Sequence, residues 1–298
     1  MDCKKKKILI ITTGGTIASA KTADGLKPKY DGNALIGNIE GVNADILDLF
    51  AVDSTDITPK HWLALCHSVK DAEPYDGIVV LHGTDTLEYT SAALSQTCFN
   101  LNKPVIVTGS MLPFGVKDSD AEKNISDSVR AACDERLNGV YVVFAGRIIA
   151  GYDAVKRDSL NPDAFQSFSG KDIGFIRENR LFIENIPKAP RQYPIPETAD
   201  AKIAVIKLSP FIDEFIVTKE FSGAVIESYG AGGMPDNEQL LTSLKALCKR
   251  MPIIMTTGCT SGANLKTYEV GKRALDCGVI DGGEMSTAFA AVKLFLMS

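Results

Sequence analysis

The sequence predicts an α/β fold of two domains, with a larger N-terminal Rossmann-like domain built on a parallel sheet and a smaller C-terminal α/β domain. Short apolar, β-branched runs alternate with helix-periodic segments from end to end, and this alternation is typical of a parallel sheet flanked by helices. Four prolines within 187–196 interrupt the pattern and favour a stiff, extended connection. We therefore expect domains at 1–186 and 201–298, joined by a linker at 187–200.

The individual elements are predicted from local patterns, in chain order. Strands are expected where short runs are rich in Ile and Val, at 5–12, 77–81, 104–108, 139–144, 203–208, 223–227 and 252–256. Helices are expected where apolar residues recur at helical spacing, at 59–72, 86–99, 120–136, 236–249, 266–276 and 285–296. Thr58 followed by Pro59 is typical of an N-cap and a first helical residue, which supports the start of the first helix. Segment 17–33 is polar, contains glycines and lacks a clear period, so we expect a mobile lid there.

Composition excludes several classes of function. The 298 residues are 45% hydrophobic and 23% charged, as in ordinary globular proteins, and a net charge of −5 argues against nucleic acid or an anionic membrane as a partner. No apolar run approaches the ~20 residues that span a bilayer. The basic start leads into a strand and a glycine turn instead of a cleavage site. The seven cysteines are scattered and form no C-x-x-C pair, which favours free thiols in the cytoplasm.

Two strands each end in glycine followed by threonine. Gly14-Gly15-Thr16 follows the first strand, and Gly83-Thr84-Asp85 follows the strand at 77–81. Glycines at the carboxyl end of a parallel strand let backbone approach a ligand, so the two threonines indicate a hydroxyl-based site. Neither turn matches a nucleotide-binding motif, and Asp85 would repel a phosphate but attract an ammonium group.

A threonine nucleophile needs a base or a strong local field. Of the three histidines, His61 and His67 lie on a predicted helix, and His82 is expected to orient its neighbours by hydrogen bonds. A lysine that is partly buried beside a hydroxyl and a carboxylate can also carry protons, and Lys156 follows a predicted strand-turn-strand segment. Spacing alone does not single out Lys156 among the 32 basic residues. No cluster has metal-ligand spacing, so we expect neither a metal nor a cofactor.

These motifs resemble the paired signatures of bacterial-type L-asparaginases, and the resemblance extends over nearly the whole chain. The cytoplasmic, type I branch is the more similar one, because the sequence lacks a signal peptide and carries the segment 52–56 in its type I form. The matching segments are 13–18 (TGGTIA), 82–88 (HGTDTLE), 103–111 (KPVIVTGSM), 163–167 (DAFQS) and 228–233 (SYGAGG).

The resemblance implies a double-displacement hydrolysis of an amide. Thr16 matches the primary nucleophile, which forms an acyl-enzyme and releases ammonia. Thr84, Lys156 and Asp85 match a second group that moves protons and polarises the amide. Backbone amides near Gly15 and Thr84 are the expected oxyanion donors.

The resemblance also implies how the substrate is held. Asp85 matches the carboxylate that receives the α-ammonium group, and Ser54 and Thr55 match the segment that holds the α-carboxylate. The family's lid carries a tyrosine that activates the nucleophile, commonly right after a glycine. Here Leu26 follows the glycine, so Tyr30 or another lid residue takes this role.

L-asparagine is therefore the expected substrate, with L-glutamine as the alternative. A glutamine-directed relative, the amidotransferase D subunit, carries an extra N-terminal domain, whereas the first strand here begins close to Met1. A ligand-binding regulatory protein that has lost catalysis is a further alternative, and Leu26 is the feature that supports it. The family resemblance also favours a homodimer or a homotetramer.

Overall fold

In the computed structural model, which describes residues 6–22, 25–28, 43–186 and 188–298, the chain forms two units. The first unit contains residues up to Ser167 together with Lys171–Ile195, and the second contains Phe168–Gly170 and Pro196–Ser298. The segment expected as the linker, 187–200, includes the point where the chain passes from the first unit to the second. Each unit has its own sheet and its own core, which confirms the two-domain α/β prediction.

The helices and strands alternate as follows. The first unit contains β1 (Lys7–Gly14), β2 (Ser19–Thr22), β3 (Gly25–Pro28), β4 (Asn43–Val52), α1 (Pro59–Lys70), β5 (Gly77–Leu81), α2 (Leu87–Cys98), β6 (Pro104–Thr108), α3 (Ala121–Ala132), β7 (Gly139–Phe144), β8 (Arg147–Ala150), β9 (Ala154–Lys156), β10 (Phe165–Ser167), β11 (Gly174–Arg177) and β12 (Arg180–Ile183). The second contains β13 (Ile203–Lys207), β14 (Gly223–Ser228), α4 (Glu238–Cys248), β15 (Ile253–Thr257), α5 (Glu269–Cys277), β16 (Ile280–Asp281) and α6 (Thr287–Leu296). All seven predicted strands and all six predicted helices are confirmed, with ends that differ by a few residues.

The sheet of the first unit is mixed, although the sequence predicted a parallel one. Its eight strands lie in the order β12-β11-β8-β7-β6-β5-β1-β4. Strands β4, β1, β5, β6 and β7 are parallel, whereas β8, β11 and β12 each run antiparallel to a neighbour. The direction changes at Ala145–Gly146, where a two-residue turn with positive φ at both positions joins β7 to β8. A tight turn reverses the chain, while a helical crossover would have kept the strands parallel.

The central strands are buried on both faces, which explains their unbroken apolar sequences. Along β1, Ile8 and Ile10 face one side of the sheet and pack against α3, while Leu9 and Ile11 face the other side and pack against α1 and α2. Alternate side chains of a strand point to opposite faces, so one run of residues contributes to two cores. The turns after β1 and β5 therefore project from strands that are buried on both faces.

The strand order of this sheet contains a switch point between β1 and β5. The chain passes from β1 to β4 on one side, whereas β5 is followed by β6 on the other side. In open α/β sheets, ligands bind where neighbouring strands connect in opposite directions, outside their carboxyl ends. The two glycine-threonine turns lie at this switch point, one after β1 and one after β5.

The segment expected as a lid begins as a β-hairpin. Residues Thr16–Ala18 form a short 3-10 turn, after which β2 and β3 pair antiparallel, with Ser19 opposite Pro28 and Thr22 opposite Gly25. Residues 23, 24 and 29–33 of the predicted lid lie outside the described residues.

The second unit is a four-stranded parallel sheet in the order β13-β14-β15-β16. Its core combines the inner strands with α4 and α5 and includes Ile226, Met255, Leu240 and Leu244. In the ranges that the structure describes, no helix has the length and apolar character needed to cross a bilayer.

Candidate active site

The turns after β1 and β5 are in direct contact because both carry glycine. Gly15 has φ of +78°, and a Cβ atom there would lie 2.3 Å from the Cα of Gly83. A Cβ atom at Gly83 would in turn lie 2.6 Å from the side chain of Ser54. Only glycine permits this approach. Since Thr16 and Thr84 each follow one of these glycines, the contact places the two threonines on adjacent turns.

Thr84, Lys156 and Asp85 form one hydrogen-bonded group. The Nζ of Lys156 donates to Thr84 Oγ1 at 2.8 Å and to Asp85 Oδ1 at 2.6 Å. Thr84 is buried, the Lys156 side chain is 18% exposed, and the Asp85 side chain is 54% exposed. The group therefore runs from the protein interior to solvent, with the amine between a hydroxyl and a carboxylate.

Lys156 reaches this position from the short strand β9, which pairs with β10 in a two-stranded sheet. Phe165, opposite Lys156 in the register, is fully buried, and the centroid of its ring lies 4.9 Å from that of Phe144. Arg147 bonds both oxygens of Asp163 at 2.8 and 3.0 Å, which holds the chain just before β10. The hairpin that carries Lys156 is thus anchored in the core behind the site.

Ser54 belongs to the same cluster. It is buried, its Oγ accepts the backbone N–H of Asp85 at 3.2 Å, and its carbonyl accepts the hydroxyl of Thr86 at 2.7 Å. A hydroxyl that accepts one bond can still donate its own proton to an anion. Thr55 is exposed, and its hydroxyl donates to Asp53 at 2.7 Å. The structure therefore links Ser54 directly to the Thr84–Asp85 turn, while Thr55 is bonded to its own loop.

Thr16 is half-buried at the start of the 3-10 turn, directly before the fully buried Ile17. The N–H of Gly15 donates to the carbonyl of Val52 at 3.0 Å, so this amide already has an acceptor. The absence of a side chain at Gly15 is what allows this turn to approach Gly83. Tyr30 lies outside the described residues.

A chain of hydrogen bonds supports the Thr84 turn from behind. His82 is buried, and its Nδ1 lies 2.7 Å from the carbonyl of Gly83, so Nδ1 carries the proton. Its Nε2 then accepts the Thr90 hydroxyl at 3.0 Å, and that oxygen accepts Trp62 Nε1–H at 3.2 Å. Burial lowers the pKa of His82 to about 4, although the bond to Gly83 acts in the opposite direction. His82 is a neutral orienting group, as expected from the sequence.

Sequence reasoning missed other residues that shape the site. A Cβ atom at Gly109 would lie 2.4 Å from the carbonyl of His82 and 3.5 Å from Thr84 Cγ2, and the side chain of Asn124 donates to the carbonyl of Gly109. Glu88 accepts the backbone N–H of Lys156 at 2.9 Å. Gly109, Asn124 and Glu88 all lie in segments that the family resemblance or the helix pattern had marked, but only the fold shows what they contact.

The chain matches two family models along almost its whole length. The model described as "Asparaginase, N-terminal" matches residues 7–188, and the model described as "Glutaminase/Asparaginase C-terminal domain" matches residues 202–298.

Individual relatives cover the same span. An L-asparaginase of Thermococcus kodakarensis is 37% identical over 301 residues, which cover 97% of this chain and 91% of that protein. An L-asparaginase 1 of Escherichia coli is 30% identical, with coverage of 99% and 93%. The D subunit of a glutamyl-tRNA(Gln) amidotransferase of Methanobrevibacter smithii is 31% identical, with coverage of 98% and 72%. The solved structure of the thermostable L-asparaginase from T. kodakarensis superimposes with a TM-score of 0.85 at 34% identity, covering 97% of this chain and 92% of that one.

Proposed function

The chain belongs to the asparaginase family, and on that premise we propose that it hydrolyses the side-chain amide of L-asparagine to L-aspartate and ammonia. One observation carries the proposal. The Nζ of Lys156 bridges the hydroxyl of Thr84 and the carboxylate of Asp85, next to the turn that bears Thr16. This supports an active site that uses hydroxyl groups and a lysine.

In the first half-reaction, Thr16 Oγ attacks the amide carbon and its proton passes to a base at the site. The amide oxygen gains negative charge, and backbone N–H groups beside Thr16 and Thr84 stabilise it. The C–N bond then breaks, and the leaving nitrogen takes up a proton and departs as ammonia. An ester between Thr16 and the aspartyl group remains.

In the second half-reaction, water attacks the ester carbon and restores the Thr16 hydroxyl. The Thr84–Lys156–Asp85 group moves the protons that both halves require. Lys156 suits this role because its amine lies within 2.8 Å of one oxygen that can give up a proton and within 2.6 Å of a carboxylate. Tyr30 or another lid residue activates Thr16.

Substrate recognition follows from the carboxylate of Asp85 and from the hydroxyls of the segment after β4. The carboxylate of Asp85 accepts one bond from Lys156 and is half exposed, so it retains lone pairs for the α-ammonium group. Ser54 offers its hydroxyl proton to the α-carboxylate, and Thr55 does so when its hydroxyl exchanges the bond to Asp53 for one to the substrate. Together they select an amino acid whose side-chain amide reaches Thr16.

The test is ammonia release from asparagine by the wild type and by Thr16→Ala and Thr84→Ala. We expect each alanine variant to lose at least about 1,000-fold in kcat, because removing a member of a catalytic group that acts as a unit removes most of its effect. Thr16→Ser retains a hydroxyl and should keep part of the activity. Thr218→Ala, at an exposed threonine of the second unit, should match the wild type.

Thermal unfolding of each variant separates a catalytic loss from a folding defect. Mass spectrometry of rapidly quenched enzyme should find the aspartyl group attached to Thr16. A wild type that releases no ammonia over a broad pH range, or alanine variants with full activity, would refute the proposal.

The similarity to an amidotransferase D subunit favours glutamine as the second candidate substrate. Glutamine is longer by one methylene, so the distance from Asp85 to Thr16 decides between the two amides. Comparing kcat/KM for asparagine and glutamine separates these candidates. Binding of asparagine in calorimetry without ammonia release would instead support a regulatory protein.

We also propose that the protein works in the cytoplasm. The six cysteines among the described residues are free thiols, which suits a reducing compartment. Fractionation of cells that express the chain should recover the activity with cytoplasmic markers. Recovery with secreted or periplasmic proteins would contradict this.

A further inference from the structure

The backbone N–H of Lys156 points away from β10, the strand that pairs with β9. In the hairpin, the N–H of the next residue, Arg157, donates to the carbonyl of Ala164 at 2.8 Å. Successive backbone groups of a strand point to opposite sides, so the N–H of Lys156 faces the side where β9 has no strand neighbour among the described residues. A carboxylate oxygen of Glu88 accepts this N–H at 2.9 Å. A side chain therefore takes the place of a neighbouring strand at Lys156.

Glu88 is well placed for this contact. It lies in the first turn of α2, three residues after Asp85, and is half-buried. Carboxylates are favoured at a helix N-terminus, and a bond from N–H to a carboxylate is stronger than one to a neutral oxygen. The segment that supplies Thr84 and Asp85 to the amine of Lys156 thus also holds the backbone of the same residue.

We propose that Glu88 is a positioning residue that fixes the backbone of Lys156 so that its amine reaches Thr84 and Asp85 together. Lysine has a long, flexible side chain whose amine can occupy many positions, whereas the two bonds of 2.8 and 2.6 Å to the turn before α2 need one of them. By holding the backbone of Lys156 beside this turn, Glu88 restricts the positions that the amine can take. Its role rests on the proposed function, because it acts through the proton-carrying group.

Two substitutions separate acceptor geometry from charge. Glu88→Gln keeps the chain length and an acceptor oxygen but removes the charge, and Glu88→Asp keeps the charge but withdraws the oxygens by about 1.5 Å. We expect Glu88→Gln to retain kcat within about fivefold, since a neutral acceptor bonds more weakly than a charged one. For Glu88→Asp we expect kcat to fall by about 100-fold, as for other misplacements of roughly 1 Å in active sites. KM should change little in both, because Ser54 and Asp85 remain in place.

Glu122 offers a matched control. It lies in the first turn of α3, and its carboxylate accepts the backbone N–H of Gly115 at 3.1 Å. Glu122→Gln and Glu122→Asp therefore make the same changes to the same kind of contact outside the site. We expect both to keep the wild-type kcat.

Hydrogen exchange of the Lys156 amide supplies a readout that does not depend on turnover. Exchange should be slow in the wild type and in Glu88→Gln and fast in Glu88→Asp. Suppose the wild type is active: if Glu88→Asp then turns over as fast as Glu88→Gln, the positioning role is overturned. It is also overturned if the Glu122 variants lose as much kcat as Glu88→Asp does. An inactive wild type with the expected exchange pattern refutes the proposed function while the Glu88–Lys156 contact stands.

Discussion

Lys156 is the residue on which the proposed chemistry depends, and its ion pair with Asp85 does little for stability. The Asp85 side chain is 54% exposed, and exposed pairs contribute about 0–1 kcal/mol because water screens them. The contact instead fixes the amine against Thr84, which is buried. The ion pair between Lys156 and Asp85 therefore serves to position the Nζ atom of Lys156.

His82 yields a prediction about pH. Burial lowers the pKa of His82 to about 4 in the folded protein, against 6.5 for the free side chain. Between these values the unfolded chain takes up a proton that the folded chain does not, so the free energy of unfolding falls as the pH falls from 6.5 towards 4. The shift corresponds to about 3 kcal/mol at the acidic end.

Urea unfolding at a series of pH values measures this dependence. His82→Asn keeps a donor for the carbonyl of Gly83 and removes the titrating ring, so its unfolding free energy should lack this part of the acid slope. His67→Asn changes an exposed histidine of α1 and serves as the control. A wild type and a His82→Asn variant with the same slope would contradict the prediction.

At the scale of elements, the site depends on two turns that touch. The turn after β1 and the turn after β5 meet at Gly15 and Gly83, and β1 and β5 are neighbouring parallel strands whose register brings Thr12 opposite Leu81. Pairing of the strands determines where the turns begin, and the missing side chains allow them to close on each other. Hydroxyls from separate parts of the sequence then lie on adjacent turns.

Gly15→Ala tests this contact, with Gly115→Ala as its matched control. The two glycines have almost the same φ, +78° and +76°, but an added Cβ atom meets backbone at 2.3 Å at Gly15 and nothing within 4 Å at Gly115. Both substitutions carry the left-handed backbone cost of about 1–2 kcal/mol. Overpacking should lower the free energy of unfolding of Gly15→Ala by about 1–3 kcal/mol more. This variant should also lose its activity. Equal unfolding free energies for the two variants would show that the turns do not need this contact.

The elements are predictable from the sequence where burial is complete and less so where it is not. The strands at 77–81, 104–108 and 139–144 have the bounds expected from their apolar runs. By contrast, β4 is a half-exposed edge strand with interspersed polar residues, and its pattern does not predict a strand. The strand-turn-strand pattern before Lys156 indicates a turn, but the reversal of the sheet at Ala145–Gly146 is not predicted, because a non-glycine residue with positive φ leaves no clear signature.

At the scale of the whole molecule, large apolar side chains face water. Phe211 and Ile216 of the second unit are 93% and 84% exposed, and Leu160 and Ile186 of the first unit are 87% and 71% exposed. Burying such a side chain on association would contribute about 1.5–3 kcal/mol. We propose that the chain forms the homodimer or homotetramer that the family resemblance favours, with some of these side chains buried between the subunits.

Light scattering on the purified protein tests that proposal. We expect a mass of two or four times the 32.0 kDa of one chain, stable on dilution into the assay range. A mass of one chain under assay conditions would contradict it. Activity measured over the same dilution shows whether the association matters for turnover.

The sequence by itself determined the α/β class, the order of the main elements and the two threonine-bearing turns, because apolar runs and glycine-threonine pairs are local features. It also identified the family to which the chain belongs, since the motifs of the family can be recognised in the sequence in their usual order. Only the tertiary structure decided that β7 is followed by antiparallel strands, that the N–H of Gly15 is already bonded, and that Glu88 holds the backbone of Lys156. The physical reason is distance along the chain. Glu88 and Lys156 are 68 residues apart, and no local pattern encodes a contact that strand pairing and core packing create.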